Sequence, residues 1–170
     1  MGHDYQFCFN NVLLRPLKED DIELLRNWRN DSKNSRFLRK IPYITPKMQK
    51  EWFENYLLNP DELAFSISEI KKLHRVVGSL SLYQFAASEC FFGKILIGDS
   101  DAHGRKVGFH ATKAAVEIAF SQLNIKQVYL NVYKNNLPAL HIYKAVGFEI
   151  ENIKSDSCGL VEYTMALKCY

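Results

Sequence analysis

Two short stretches of this chain combine residue types and spacing that suit chemistry. Residues 103–108 read His-Gly-Arg-Lys-Val-Gly and open a run in which Val107, Ala111, Ala114, Ala115, Ile118 and Ala119 recur at helical spacing. The first N–H groups of a helix have no internal partner and the helix dipole is positive there, so such a turn can receive phosphate oxygens. Gly104 and Gly108 permit close backbone approach, the N–H groups from Arg105 to Gly108 can point at the oxygens, and Arg105 adds a charge-assisted donor. A pyrophosphate is the group that suits it. The second stretch runs from Asn136-Leu137-Pro138 through Tyr143 to Gly147-Phe148. Asn136 can cap the helix begun by Leu137-Pro138 or hydrogen-bond a ligand, and Tyr143 offers either a phenol of pKa near 10 or a ring that packs a helix on a sheet. A Gly-x-x-x-Gly at a helix start is weak alone and by itself reads more readily as a structural turn. The downstream block, in order and at the right distance, gives it weight.

These residues need elements to position them. Val12–Leu17 reads as a strand, followed by a helix that Asp20 can cap, with Ile22, Leu25 and Trp28 at helical spacing and an end near Asp31. Thr45-Pro46 opens a second helix with Met48, Trp52 and Tyr56 on one face. Strand patterns follow at 63–70, 76–85 and 90–98, an antiparallel meander. The small-residue helix from Val107 runs to about Gln122; 127–132 is a strand, 137–146 a helix stopped by Gly147, and 148–153 and 160–167 are closing strands. The strand–helix–strand unit around Val107 places two strands parallel in an otherwise antiparallel sheet.

The 170 residues, 47% of them apolar, suit a single domain over 1–170, without a linker-like stretch. A formal net charge of +3, with scattered basic residues, is too mild for nucleic-acid binding by bulk electrostatics. Cys8, Cys90, Cys158 and Cys169 form neither C-x-x-C nor zinc-like spacing and read as reduced thiols. No metal is expected, since no histidine sits in a ligand spacing. No apolar run reaches membrane-span length and the N-terminus has no apolar signal core, so the expected location is the cytoplasm.

The opening VLLRPLKEDDIELLRNWRND, the turn HGRKVG, Asn136-x-x-Ala139, Tyr143 and Gly147-Phe148 together resemble the GNAT-family acyl-CoA N-acyltransferases. More narrowly, they resemble the branch with ribosomal-protein N-terminal acetyltransferases and amino-sugar N-acetyltransferases. The resemblance spans most of the chain. It implies an α/β fold with a mixed, mostly antiparallel sheet of about seven strands, about four flanking helices, and a parallel pair splayed around the acyl-CoA site. It further implies an acetyl-CoA-dependent N-acetyltransferase in which an acceptor amine attacks the thioester directly. In that reading His103, Gly104, Arg105, Lys106, Val107 and Gly108 hold the pyrophosphate. Backbone groups of Ile95, Leu96 and Ile97 meet the pantetheine amides, and Asn131 and Asn136 lie along the arm. Tyr143 protonates the departing thiolate. Two positions depart from the family turn: His103 stands for Gln or Arg, and Lys106 for the first glycine. If that glycine supplies positive φ, Lys106 strains or shifts the loop, while its ammonium adds attraction for the pyrophosphate.

For the general base, Glu89 is the chosen candidate, with Asp99 and Glu51 as others, although each reads more readily as a solvated surface carboxylate. The resemblance implies that acceptor choice lies in residues 35–53. Phe37, Tyr43, Trp52 and Phe53 can stack on a ring, and Arg36, Arg39 and Lys40 can attract an acidic acceptor such as a nucleotide-linked amino sugar. A protein N-terminal amine is the other acceptor considered. The remaining alternatives are a catalytically silent acyl-CoA-binding module, for which Lys106 argues, and a partner-binding protein using a sheet edge, as a monomer or homodimer.

Overall fold

The computed structural model describes residues 2–34, 42–155 and 159–169. Its elements in chain order are β1 (Phe7–Phe9), β2 (Val12–Pro16), α1 (Ile22–Asn30), α2 (Pro46–Leu58), β3 (Glu62–Glu69), β4 (Arg75–Ala86) and β5 (Glu89–Ile97), then α3 (Val107–Glu117), β6 (Gln127–Tyr133), α4 (Leu137–Val146), β7 (Glu149–Ser155) and β8 (Val161–Lys168). One π-helical turn, Ile118–Gln122, continues α3. All eight strands join one sheet in the order β1-β2-β3-β4-β5-β6-β8-β7. The eighth strand beyond the expected seven is β1, three residues folded back on β2 through Asn10 in the left-handed region.

Every pairing is antiparallel except β5 with β6, which is parallel and covers only Glu89–Phe91 against Gln127–Tyr129. Beyond Phe91 the two strands part. A bulge accompanies the parting: Ser79 pairs with Leu96 and Ser81 with Gly93, so Lys94 and Ile95 together oppose Leu80, with Lys94 at φ 53°. An extra residue on one strand bends it away from its neighbour.

The main core lies under α3, whose Ala111, Ala114 and Ala115 are fully buried and let the helix approach the sheet closely. A second cluster on the opposite face joins Leu17, Ile22, Leu25, Phe53, Tyr56 and Ala64 beneath α1 and α2. The period of two along β3 explains the division, since Ala64 faces one cluster while Phe65 and Ile67 face the other. On α2 the buried residues are Gln49, Phe53 and Tyr56, so the inward stripe is rotated from the expected Met48–Trp52–Tyr56. Thr45 caps this helix as expected, accepting from Met48 N at 3.2 Å. Before α1 the chain makes a 3-10 turn, Glu19–Asp21, and the capping carboxylate is Asp21, not Asp20, accepting from Lys18 N at 3.0 Å. Cys8 and Cys169 are exposed free thiols and Cys90 is a buried one; Cys158 falls outside the described residues. Among the described residues no helix is long and apolar enough to cross a membrane.

Candidate active site

Where β5 and β6 part, a cleft of about 410 Å³ opens between the strand run Phe92–Ile97, the end of β6 and one side of α4. A second cavity of about 600 Å³ shares Ile97, Gly108, Pro138 and Ile142 with it and continues to the turn before α3. The two adjoin at these residues, one at the sheet gap and the other at a helix N-terminus.

Local chemistry fixes each wall. On α4, Asn136 accepts from Ala139 N at 3.3 Å and Pro138 occupies the first turn. The helix stops at Gly147, whose φ of 115° allows its N–H to reach Tyr143 O at 3.1 Å and Lys144 O at 3.0 Å. Tyr143, held between these caps, is 7% exposed and lines the cleft. Its ring lies edge-on to Phe92 at 5.9 Å and Phe148 at 6.1 Å. Burial, with a smaller push from Tyr83, raises its phenol to about 12.

The turn is built from a short 3-10 helix and two left-handed residues, Gly104 at φ 75° and Lys106 at φ 57°. Lys106 takes the conformation that a glycine would supply and occupies the N-cap of α3, so the loop keeps its course without that glycine. His103, Gly104, Lys106, Val107 and Gly108 line the second cavity. The His103 ring nitrogen sits 3.3 Å from Ile97 O. Arg105 departs from expectation: its Nε donates to Asp101 O at 2.7 Å, and it lines neither cavity because that bond turns the guanidinium back along the loop. His110 is half-buried and bonded to the Asn11 side chain.

Ile95, Leu96 and Ile97 line the cleft, as does Asn131, whose Oδ1 accepts from Thr164 Oγ1 at 2.9 Å. Glu89 is not brought to it. It stands exposed at the start of β5, opposite Gln127, where the two strands are still paired, and the cleft begins only at Phe92. Asp99 is held by Arg75 at 2.7 Å, which keeps its carboxyl below the usual range, and Glu51 is an exposed residue 3.7 Å from Lys47. The carboxylate that does line the cleft is Glu162 on β8, overlooked in the sequence because only the β6–β8 register, Tyr133 against Glu162, carries it there. The phenol of Tyr83 is raised by burial first and then by the charges of Glu62 and Glu162.

A third cavity, about 400 Å³, lies beneath α1 and α2 and shares Lys94 and Leu96 with the cleft. Trp52 lines it, whereas Phe53 is consumed by the core and Tyr43 is a 69% exposed residue bonded to Arg26. Arg36, Phe37, Arg39 and Lys40 lie outside the described residues.

The family described as acetyltransferase (GNAT) domain matches residues 11–149. The chain belongs to this family. As a GNAT protein it is an N-acetyltransferase with acetyl-CoA as co-substrate, and among the described residues no group of side chains could hold a metal ion. It is similar to the spermidine N(1)-acetyltransferase of Escherichia coli K12, 25% identical over 145 residues that cover 84% of this chain and 75% of that one. It is 27% identical over 154 residues to the probable N-acetyltransferase YjcK of Bacillus subtilis, covering 84% and 82% of the two chains. Among solved structures it resembles the spermidine N-acetyltransferase of Vibrio cholerae in complex with CoA and spermine, with TM-score 0.81, 19% identity, and 93% and 95% of the two chains covered. That likeness carries the mixed GNAT fold, parallel pair included.

Proposed function

We propose that the channel between β5, α4 and the 103–108 turn seats acetyl-CoA, with its pyrophosphate at the start of α3 and its pantetheine arm along Ile95–Ile97. The observation that carries this reading is the placement of Tyr143: a buried phenol on the wall of a cleft that adjoins the cavity at the N-terminal turn of α3. The acceptor's neutral amine attacks the thioester carbonyl and forms the N–C bond. As the C–S bond breaks, the Tyr143 hydroxyl gives its proton to the leaving thiolate. The surplus proton on the new amide nitrogen passes to Glu162, and solvent returns the balance to Tyr143, so the products are an acetylamide and a free thiol.

The E. coli and V. cholerae relatives are named for spermidine, which puts a polyamine beside the nucleotide-linked amino sugar and the protein N-terminus as a candidate acceptor. Calorimetric titration with acetyl-CoA, then a coupled thiol-release assay over spermidine, an amino sugar nucleotide and an N-terminal peptide, tests the reading. Micromolar binding, near −8 kcal/mol, with release of thiol on one amine class supports it. Absence of binding removes the channel as the cofactor site.

A further inference from the structure

We infer that the cavity beneath α1 and α2 receives an acceptor amine that also carries an anionic group, a carboxylate or a phosphate, and that Arg29 recognises that group. The inference rests on the acetyl-transfer reading above. The cavity shares Lys94 and Leu96 with the cleft, which sets an amine bound on this side beside the β5 bulge, next to the thioester end of the proposed cofactor site. Three of its lining groups are charged: Arg29, Glu62 and Lys94. Glu62, only 7% exposed, is already engaged, accepting from Ser81 Oγ at 2.8 Å and from Lys94 Nζ at 2.6 Å. Arg29 is not. Its Nε is buried without a hydrogen-bond partner among the described residues, and it takes part in no ion pair among them.

A buried guanidinium donor left unmatched is costly, and an incoming oxyanion is what satisfies it. Burial lowers the Arg29 pKa, and the charge of Glu62 offsets that only in part, which is the signature of a desolvated cation short of anionic partners. The planar fork of arginine suits carboxylate and phosphate alike. Arg29, Leu25 and Trp52 also border a further cavity of about 350 Å³ beneath α2, so Arg29 stands where the two spaces meet. An acceptor with its amine at Lys94 and its anion at Arg29 therefore has room for the rest of its body against Trp52. Two cations against one carboxylate disfavour a polycation in this cavity, which separates this chain from the relatives named for spermidine.

The test uses matched amines in the presence of saturating CoA, which occupies the cofactor's own phosphate-binding turn. Glucosamine 6-phosphate is compared with glucosamine for the phosphate arm, and L-tyrosine with L-tyrosinamide for the carboxylate arm, by calorimetric binding to the full chain and to Arg29→Met. The expected result is at least tenfold tighter binding of the anionic member in one arm, lost in Arg29→Met, with acetyl-CoA affinity unchanged. Equal binding within both pairs, or a preference that survives in Arg29→Met, overturns the inference. A thermal melt separates recognition from a structural role: an unpaired Arg29 predicts that Arg29→Met melts no lower than the parent, and a marked drop overturns the proposal. Failure of acetyl-CoA to bind the parent chain counts against the transfer reading, whereas acetyl-CoA binding without anion preference sinks only the role of Arg29.

Discussion

Tyr143 is a weaker acid than a free phenol, and that bears on how it can serve as a proton donor. Transfer from a group near 12 to an ordinary thiolate, whose conjugate acid is near 8.5, is uphill by about 5 kcal/mol. The leaving thiolate, however, departs into the same apolar cleft. Cys90 shows what burial does to a thiol in this molecule, where it is pushed up to about 12. A thiolate released beside Tyr143 is shifted by burial in the same direction, which lessens the uphill step. Tyr143→Phe should lower kcat by about 10²–10⁴-fold with little change in acetyl-CoA affinity. Steady-state kinetics beside calorimetry reads both, and unchanged turnover removes Tyr143 from the mechanism. Lys106 poses a different question, because it combines a left-handed backbone with an ammonium at the cavity wall. Lys106→Gly relieves about 1 kcal/mol of backbone strain and removes the charge, whereas Lys106→Ala removes only the charge. If the ammonium meets the pyrophosphate, both variants bind acetyl-CoA more weakly, and Lys106→Ala is also the less stable of the two in urea. Full affinity in Lys106→Ala denies the ammonium any part in binding.

At the scale of elements, what was legible in the sequence is what is decided locally. Thr45-Pro46, Asn136-x-Pro138 and Gly147 fix helix ends through their own backbone and side-chain bonds, so α2 and α4 fall where their caps put them. Tyr143 came with α4. Glu162, Glu62 and Arg29 did not, because each reaches its cavity through a strand register or a helix seat set by distant residues. Glu89 lies away from the cleft for a related reason: nothing near it in sequence says that β5 and β6 are still paired at that point. The seat of α1 can be tested directly. A Cβ on Gly98, just past β5, would lie 2.1 Å from Trp28 Cγ, so Gly98→Ala must push α1 away. The expected outcome is a clear loss of stability together with weakened acceptor binding, since α1 carries Arg29. Glu69, at the end of β3, tests the β3–β4 connection. Burial opposes its charge, but N–H donors from Leu73 at 2.6 Å, Lys72 at 2.8 Å and Lys71 at 3.2 Å bring its pKa down to about 2. A value depressed from the usual 4.5 means that its contribution is present above pH 4.5 and is lost as pH falls through about 2. Urea midpoints between pH 5 and 3 should therefore fall less steeply in Glu69→Gln than in the parent, and parallel curves would deny the carboxylate this role.

The whole molecule is two antiparallel sheet halves, β1 to β5 and β6-β8-β7, joined by a parallel ladder only three residues long. Helices α3 and α4 pack on each other across that seam, and the channel runs along it. A ligand that bonds to the β5 backbone while resting on α3 and α4 adds a bridge where the ladder is missing. Its effect must be both global and local. With acetyl-CoA at a hundred times its dissociation constant, linkage stabilises the folded chain by about 2.7 kcal/mol. For a chain of this length that raises Tm by about 5–10 °C. Hydrogen exchange should slow at Gly93–Ile97 and at residues 104–110, and next at residues 130–133 of β6, beyond the end of the ladder with β5. Exchange in α2, on the far face of the sheet, should stay as it was. A rise in Tm without protection along Gly93–Ile97 would place the cofactor somewhere other than the seam, and the opening of the sheet would then need an explanation unconnected with acetyl transfer.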